Sequence, residues 1–576
     1  MPMQKFFILV GLCCCMGLPT VLAGQAETPY MERLYVATDK GSYMAGESLW
    51  LSLFCLNAQG GGLASLSSVA YVELCDAQKS LIQTKAALFQ GRGSAMISLP
   101  PTLPTGNYWL RAYTRYMLNE EEAVFFYKVI SVYNVLSTEK TAQTLVVERE
   151  STELKSVAPA SEAPLLRLQL SATEVAQRSP ITLTLENPDA EWVQASLSVY
   201  ALDALDAFAN PGIVAYSRKL PESAVFSNKY IADYDGEILF GRLMRAGDSR
   251  SYTPSSMHRA YFSVVGDAAQ LVEGRIDSLG IVTFFTPGIY GVKNVAVEFY
   301  SPLQEPVQVV LVNPFAAYRP KLPPTLQLYL GTEDVLAERN MSMQLGHRFF
   351  LDTLHSPRPL PVSTLLSGRN MRYVLDNYTR FPLMREVITE FVAEVRIRSF
   401  NGQRVFMVAQ FDGFGKESYV DAKALVLLDG VPVLDHERMI NFNPLLIESL
   451  TVYPSLFYTG ASTHYGVIDF KTYKGDLGGL SFPESVRISS FEGLQYPLRF
   501  KGPEYDASHR ALDPHFENLP DWRHSLYWDA DLRLQAGEKR EIVCHTSDYT
   551  GDFVVVLEGL TTSGKAFHQT TRFSVK

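Results

Sequence analysis

Cysteine, charge and long apolar runs are all scarce in this sequence. Six cysteines are spread over 576 residues, and only 19 % of the residues are charged. Acidic residues outnumber basic ones by 61 to 51, and no block of six or more Lys and Arg occurs. These shortages argue against a disulfide-stapled mini-protein and against a nucleic-acid-binding surface. Beyond the first 23 residues no apolar run approaches the roughly 20 residues that a membrane helix needs, which argues against a polytopic membrane protein.

Aromatic and turn-forming residues, by contrast, are plentiful. The chain contains 30 Tyr, 32 Phe, 38 Gly and 32 Pro, and 47 % of its residues are hydrophobic. Aromatic residues favour strands, and Gly and Pro favour the turns between them. A chain of this length also exceeds what one hydrophobic core supports. The composition therefore predicts a globular, multidomain and mainly β protein.

The N-terminus has the pattern of a secretory signal. Lys5 is the only charge before Ala23, residues 6–18 form an apolar run, and Val21-Leu22-Ala23 resembles a cleavage site. The sequence therefore predicts an exported protein with no transmembrane span in the mature chain. Lipid attachment at residues 13–15, which are all Cys, is an open alternative, although Leu12 is larger than the residue that usually precedes a lipidated Cys.

Removal of residues 1–23 leaves Cys55, Cys75 and Cys544. Strand alternation places Cys55 on the same face as Leu49, Leu51 and Leu53, whereas Cys75 shares its face with Tyr71 and Glu73. Opposite faces prevent a disulfide between the two strands. We therefore expect a buried Cys55, an outward-facing Cys75 and no bridge between them.

Runs of period-two alternation, interrupted by polar stretches without periodicity, divide the chain into segments. The predicted segments are a signal peptide (1–23), a β-sandwich (35–136), a linker (138–163), a second β-sandwich with an irregular insertion (164–257), a third β-sandwich (258–332), a helix and connector (333–361), an α/β domain (362–475), an irregular linker (476–524) and part of a C-terminal β-sandwich (525–576).

Three segments resemble macroglobulin domains of the α2-macroglobulin and complement family. Residues 36–50 read Val-Ala-Thr-Asp-Lys-Gly-Ser-Tyr-Met-Ala-Gly-Glu-Ser-Leu-Trp, like the opening of the second macroglobulin domain, with Ala45 where the family usually has Pro. Residues 103–110 resemble a later strand of that domain, and residues 528–561 resemble such a sandwich again. The resemblance implies macroglobulin- or immunoglobulin-like sandwiches. Neither Cys55 nor Cys75 is followed by Gly-Glu-Gln, so it does not imply thioester-dependent protease trapping.

Residues 362–475 resemble the plug domain of TonB-dependent outer-membrane receptors. The matching pieces occur in the plug's order: residues 381–387, the turn Asp429-Gly430-Val431-Pro432, residues 447–452 and residues 465–472. The residues that follow are too few for the barrel of about 22 strands that surrounds such a plug. The resemblance therefore implies a plug-like module without a barrel, with Asp429, Gly430, Val431 and Pro432 as candidate partner-docking residues.

The whole chain resembles exported Bacteroidota proteins that combine macroglobulin-like domains with a plug-like one. This resemblance implies a non-enzymatic envelope protein, in the periplasm or at the outer membrane, whose partners are envelope proteins such as a barrel or transporter. The motifs of the sequence indicate no catalytic residue and no cofactor, its acidic balance argues against nucleic acid, and the oligomeric state stays open. Two other hypotheses are a surface adhesin or carbohydrate-binding protein that uses exposed Tyr and Trp, and an enzyme with an unrecognised site.

The best candidate for a metal site is a run of three histidines, His509, His515 and His524, interspersed with aspartates. Histidine and carboxylate are common metal ligands, but their spacing here matches no known motif. A solvated loop is the favoured interpretation of this segment.

Overall fold

The computed structural model describes residues 30–148, 165–205, 212–223, 225–245, 252, 254, 257–266, 270–301, 306–350, 355–357, 366–411, 417–420, 422–505 and 518–576. These residues form 35 strands and four α-helices. The predicted mainly β, multidomain fold class is therefore confirmed. The predicted signal peptide and the three Cys at 13–15 lie outside the described residues.

The first eight strands form one unit, here called the first sandwich. Its strands are β1 (Glu32–Thr38), β2 (Ser42–Met44), β3 (Ser48–Asn57), β4 (Val69–Cys75), β5 (Ser80–Phe89), β6 (Arg92–Ser98), β7 (Gly106–Thr114) and β8 (Phe126–Tyr133). They pair in the order β1-β3-β6-β5-β4-β7-β8-β2. The long strand β5 pairs with β4 over most of its length and with β6 through Leu88 and Phe89, so it links two layers. The alternating Leu residues of β3 are fully buried between them.

The next twelve elements in the chain are eleven strands and one short helix. They are β9 (Thr144–Val147), β10 (Arg167–Leu170), β11 (Glu174–Val175), β12 (Pro180–Glu186), β13 (Val193–Ala201), α1 (Ile213–Arg218), β14 (Ile238–Arg245), β15 (Arg259–Val264), β16 (Gln270–Ile276), β17 (Ile281–Phe285), β18 (Val292–Tyr300) and β19 (Val307–Leu311).

A connecting region and the predicted plug-like region follow. Their elements are β20 (Leu326–Tyr329), α2 (Glu333–Leu345), a π-helical turn (Gly346–Phe350), β21 (His355–Pro357), β22 (Met371–Val374), α3 (Met384–Phe391), β23 (Val395–Phe400), β24 (Gln403–Phe411), β25 (Glu417–Tyr419), β26 (Leu425–Leu428), β27 (Val431–Pro432), α4 (His436–Ile440), β28 (Ile447–Thr459) and β29 (Ser462–Thr472).

Six strands complete the chain: β30 (Val486–Glu492), β31 (Leu498–Phe500), β32 (Ser525–Leu534), β33 (Lys539–His545), β34 (Gly551–Thr561) and β35 (Ala566–Val575). Short 3₁₀ turns occur at Tyr116–Asn119, Glu122–Val124, Leu375–Asn377, Pro444–Leu446 and Leu477–Gly479.

The C-terminal strands do not form a sandwich of their own. Strand β33 pairs with β12, while β32 and β34 flank β13 on either side, so the two sheets are β10-β12-β33 and β11-β35-β34-β13-β32. Their facing side chains share one core, which includes Leu183, Leu197, Leu532 and Leu557. We call this unit the second sandwich. The sequence predicts two separate segments, 164–257 and 525–576, whereas in the structure the strands of both form this one sandwich.

The third sandwich is likewise assembled from distant segments. Its strand order is β19-β14-β17-β16-β15-β18-β30, so β14 precedes the predicted start at residue 258. Strand β30, which pairs with β18 from Val292↔Glu492 to Glu298↔Val486, comes from the predicted irregular linker 476–524. Its sequence, Val-Arg-Ile-Ser-Ser-Phe-Glu, is too polar for alternation alone to reveal a strand.

The predicted plug-like region is a compact unit, here called the α/β unit (residues 371–472). Its main sheet has the order β22-β28-β29-β26-β27, with a second sheet β23-β24-β25 beside it. Helix α3 inserts Met384, Val387 and Ile388 into a core shared with both sheets. This unit lies in the chain between β19 and β30, and the third sandwich lies between β13 and β32. The units are therefore nested insertions rather than a linear series.

The expectation that Cys75 faces outward is wrong, because Cys55, Cys75 and Cys544 are all buried free thiols. The face of β4 that carries Tyr71 and Cys75 is covered by the segment between β19 and β20. There Phe315 packs edge-to-face against Tyr71, and the Tyr318 hydroxyl donates to the Asp76 carbonyl at 2.8 Å. Burial raises the pKa of Cys55 well above its usual range and those of Cys75 and Cys544 to about 12.

We predict that none of these three thiols reacts with a thiol-specific disulfide reagent at pH 8 while the protein is folded, because a buried, protonated thiol is a poor nucleophile. Three thiols should react once the mature chain is denatured without reductant. Rapid reaction in the native state, or fewer than three thiols after denaturation, would contradict this expectation.

Candidate functional site

The predicted docking turn joins β26 to β27 in the α/β unit. Asp429 and Gly430 both adopt positive φ angles, 48° and 84°, and Leu428 pairs with Val431 across the turn. Two central residues with positive φ define a type I′ hairpin, for which Asp-Gly is a preferred sequence. The local prediction of a tight turn at Asp429-Gly430 therefore agrees with the structure.

The Asp429 side chain organises the loop that follows β29. Its Oδ1 accepts a hydrogen bond from the Thr472 amide at 2.8 Å, and its Oδ2 accepts from the Thr472 hydroxyl at 2.7 Å and the Leu477 amide at 2.8 Å. A carboxylate with three donors is strongly stabilised even when buried. Asp429 therefore ties the turn between β26 and β27 to the end of β29 and the loop that follows it.

The turn faces the third sandwich rather than solvent. The Gly266 amide donates to the Asp429 carbonyl at 2.9 Å, and Lys471 Nζ donates to the Gly266 carbonyl at 3.0 Å. Asp429, Gly430, Val431 and Pro432 are all buried. In this structure Asp429 holds the α/β unit against its own chain, and all four residues are buried rather than exposed to a separate partner. Asp-Gly turns are usually exposed, so the sequence carries no signal for this contact.

An apolar cluster with a polar rim forms the rest of this interface. Tyr261 and Leu271 of the third sandwich pack against Leu425, Leu427 and Val467 of the α/β unit. At the rim, Arg259 pairs with Glu273 at 3.3 Å. Glu298 lies in the same layer, opposite Tyr261 in the strand register, and its Oε2 is buried without a hydrogen-bond partner. Burial raises the pKa of Glu298 to about 8, although nearby Lys423 acts in the opposite direction.

The α/β unit also carries a group of exposed large apolar side chains, here called the outer patch. It consists of Tyr378, Leu445, Leu446 and Tyr473, whose exposed fractions are 39 %, 49 %, 42 % and 50 %. These residues come from three separate segments of the chain, so the periodicity of the sequence does not predict that they lie close together. The one usable signal was Leu445-Leu446 on a short turn that begins with Pro444.

Arg380 and Asp376 hold the outer patch together. Arg380 Nη2 donates to the Pro444 carbonyl at 2.9 Å, and Nη1 donates to the Ile447 carbonyl at 3.2 Å. Asp376 pairs with Arg380 at 3.5 Å and accepts a hydrogen bond from the Tyr473 hydroxyl at 2.7 Å. The Tyr378 ring stacks on Phe391 at 4.4 Å between centroids. The patch is thus a fixed arrangement of aromatic and leucine side chains around an arginine.

Of the three predicted histidines, only His524 lies within the described residues. His509 and His515 lie outside the described residues, whereas His524 is buried beside α2, where its Nδ1 lies 3.1 Å from the Ser342 hydroxyl. Burial, reinforced by nearby Arg339 and Lys40, keeps the pKa of His524 well below its usual range. Within the described part of the chain, no group of three His, Cys, Asp or Glu side chains has metal-binding geometry. No helix among the described residues is both long and apolar enough to span a membrane.

No family model matches this chain, and no curated protein matches it by sequence. Matching solved structures include trypsin-activated α2-macroglobulin from Escherichia coli (10 % identity, TM-score 0.24, over 94 % of this chain and 41 % of that chain). Others are Salmonella α2-macroglobulin reacted with methylamine (9 %, TM-score 0.23, 94 % and 39 %) and the Yersinia pseudotuberculosis adhesin InvE (11 %, TM-score 0.13, 48 % and 58 %).

This chain spans about two-fifths of the length of those α2-macroglobulins. Bacterial α2-macroglobulins are thus among its structural neighbours.

The contacts of Asp429 generate one prediction. Asp429→Ala removes the acceptor of three buried donors and should destabilise the α/β unit locally by about 3–5 kcal/mol. We expect amide hydrogen exchange in residues 467–477 to accelerate by about 100-fold or more. The matched control is Asp476→Ala in the same loop, because exposed Asp476 accepts only from the Gly478 amide, at 3.1 Å. Equal exchange in the two variants would contradict the role of Asp429.

Glu298 generates a prediction about pH. A carboxyl group whose pKa is raised in the folded state lowers stability as pH rises from about 4.5 to about 8, by roughly 1.4 kcal/mol per pH unit. Glu298→Gln should therefore melt close to the wild type at pH 5 and at a progressively higher temperature than the wild type at pH 6.5 and 8. Calorimetry of both proteins checks this, with exposed Glu492→Gln as control. A constant difference across this range would contradict the assignment.

Proposed function

We propose that this chain is a non-enzymatic, exported protein of the bacterial envelope that acts through protein contacts, and that the outer patch is its docking surface. The observation that carries the proposal is the exposure of Tyr378, Leu445, Leu446 and Tyr473 side by side on the α/β unit. Clustered exposed apolar side chains on a folded protein commonly mark interaction sites. Tyrosine and arginine in particular are enriched among the residues that dominate binding energy.

The rigidity of the outer patch supports this role. Arg380 and Asp376 already hold its segments in place, so a partner need not order them on binding. A preorganised surface loses less conformational entropy when a complex forms. The unit is anchored to the third sandwich through Asp429 and Lys471, while the side chains of the patch remain exposed.

The buried charges of the chain support a scaffold rather than an active site. Lys85 pairs with Glu237 at 2.8 Å between the first and third sandwiches, and Arg339 of α2 pairs with Asp203 at 2.7 Å. Arg33 pairs with Glu120 at 2.7 Å inside the first sandwich. Each of these charges has a partner that joins elements of the fold, which is a structural use of ionisable groups.

The finer proposal concerns location and partner. The leader-like residues 1–23 support export, and the resemblance of the α/β unit to a receptor plug supports a position at the outer membrane. A partner suited to the outer patch has an exposed apolar groove with a carboxylate near Arg380. An outer-membrane barrel or transporter is the partner class that the plug resemblance favours.

The test compares a patch variant with a matched surface variant. Leu445→Asp combined with Leu446→Asp places two charges in the outer patch and should abolish recovery of the partner after mild crosslinking in intact cells of the native host. Leu279→Asp, at an exposed position on a turn of the third sandwich, should leave recovery unchanged. Mass spectrometry of the crosslinked products gives the measurement. Equal recovery by both variants and the wild type would overturn the proposal.

A further inference from the structure

A cavity of about 100 Å³ lies where three parts of the molecule meet. The first sandwich contributes Lys40 and Trp50, α2 and its π-helical turn contribute Met343 and Gly346, and β31 contributes Phe500. Arg523, just before β32, closes the remaining side. Ligand sites occur preferentially at such junctions between domains. No residue of the α/β unit lines this cavity, so it is distinct from both the outer patch and the Asp429 turn.

One buried hydrogen-bond donor in the wall of the cavity has no acceptor in the structure. Arg523 uses Nε and Nη2 to bind the Asp521 carboxylate, each at 2.7 Å, while its Nη1 is buried without a partner. The Lys40 ammonium pairs with Glu47 at 2.8 Å, which occupies one of its three protons. Both side chains are more than nine-tenths buried.

One oxygen of each carboxylate that lines the cavity is already engaged by donors of the protein. Asp39 Oδ1 accepts from the Tyr43 hydroxyl at 2.7 Å and from the Trp50 amide at 3.0 Å. Glu47 Oε2 accepts from the Met44 amide at 2.9 Å in addition to Lys40. Because Arg523 Nη1 is bound by neither of them, a group that fills the cavity and satisfies this donor brings its own acceptor. Next to a guanidinium and an ammonium, a carboxylate is the acceptor that gains most.

One part of the wall is apolar, although Ser48, Ser342, His524 and Ser525 also line the cavity. Trp50 and Phe500 meet edge-to-face with their centroids 5.7 Å apart, and Met343 lies beside them. A thioether and two aromatic rings suit a compact aliphatic or aromatic group. The volume approaches that of an engineered protein cavity of about 150 Å³ that binds benzene. His347 and Glu47, which are less buried than the floor, mark the entrance.

We propose that this cavity binds a small ligand that combines a compact apolar group with a carboxylate. The apolar group packs against Trp50, Phe500 and Met343, and the carboxylate receives hydrogen bonds from Arg523 and Lys40. The same chemistry occurs in a free short-chain carboxylic acid and in the C-terminal residue of a peptide with an apolar side chain.

The primary test is calorimetric titration of the full mature chain at pH 7 with isovalerate and with isovaleramide, its uncharged counterpart. A pentapeptide that ends in leucine is titrated with a free and with an amidated C-terminus. At least one of the two carboxylates should bind saturably with 1:1 stoichiometry, and its amide should bind at least tenfold more weakly. Binding of isovalerate alone identifies a free acid as the source, whereas binding of the free peptide identifies a peptide terminus. Equal binding of the amides, or saturable binding of neither carboxylate, overturns the proposal.

Variants locate the site. Arg523→Lys retains the charge but loses the forked donor and should weaken binding at least tenfold. Its control is Arg178→Lys, which alters a similar forked pair with Asp548 outside the cavity and should not weaken binding.

Gly346→Leu provides a second variant, because a Cβ at this position meets no atom within 4 Å, so the fold should tolerate the side chain. We expect Gly346→Leu to fill the cavity and abolish binding, with exposed Met341→Leu on α2 as its control. Wild-type affinity in folded Gly346→Leu would overturn the assignment.

Discussion

The pairing of β13 with β32 and β34 is the contact on which the placement of the other units depends. It joins Val193 to Leu534 on one side and to Thr561 on the other, so strands from early in the chain lie between strands from its end. Everything between β13 and β32 is thereby an insertion whose two ends must meet. Loop-closure entropy opposes contacts between residues so far apart in sequence, and only the burial of a large apolar surface offsets it.

The first sandwich provides much of that surface. Its core extends without a break to Ile213, Leu494, Phe500, Trp528 and Leu560, which belong to four other segments. Arg92 lies at the centre of this contact. Its guanidinium lies 3.4 Å above the Phe54 ring and donates to the carbonyls of Ala195 and Ala530, which lie on β13 and β32. One buried side chain of the first sandwich thus bridges the two halves of the second. The stacking on Phe54 and the paired carbonyls offset the cost of burying its charge.

The sequence predicts local features well where a pattern is complete within a few residues. The alternation of Leu49, Leu51 and Leu53 predicts β3, and Asp429-Gly430 predicts its hairpin turn, because φ preferences act locally. The nested order could not be predicted, since alternation identifies a strand without identifying its partner. The outer patch could not be predicted for a similar reason, because Arg380 joins segments that are far apart in sequence. The expectation that Cys75 faces outward is wrong because a loop covers its face of the strand, and strand alternation does not reveal where a loop packs.

Nesting also changes what a protease can do to this molecule. The chain enters the α/β unit from β19 and leaves it toward β30, and both strands belong to the third sandwich. A single backbone cut in either connection leaves the unit covalently attached through the other, and the contacts of Asp429 and Lys471 with Gly266 still hold it in place. Two independent cuts are needed to release it. A module attached in this way can remain on its scaffold in a protease-rich compartment after the chain has been nicked once.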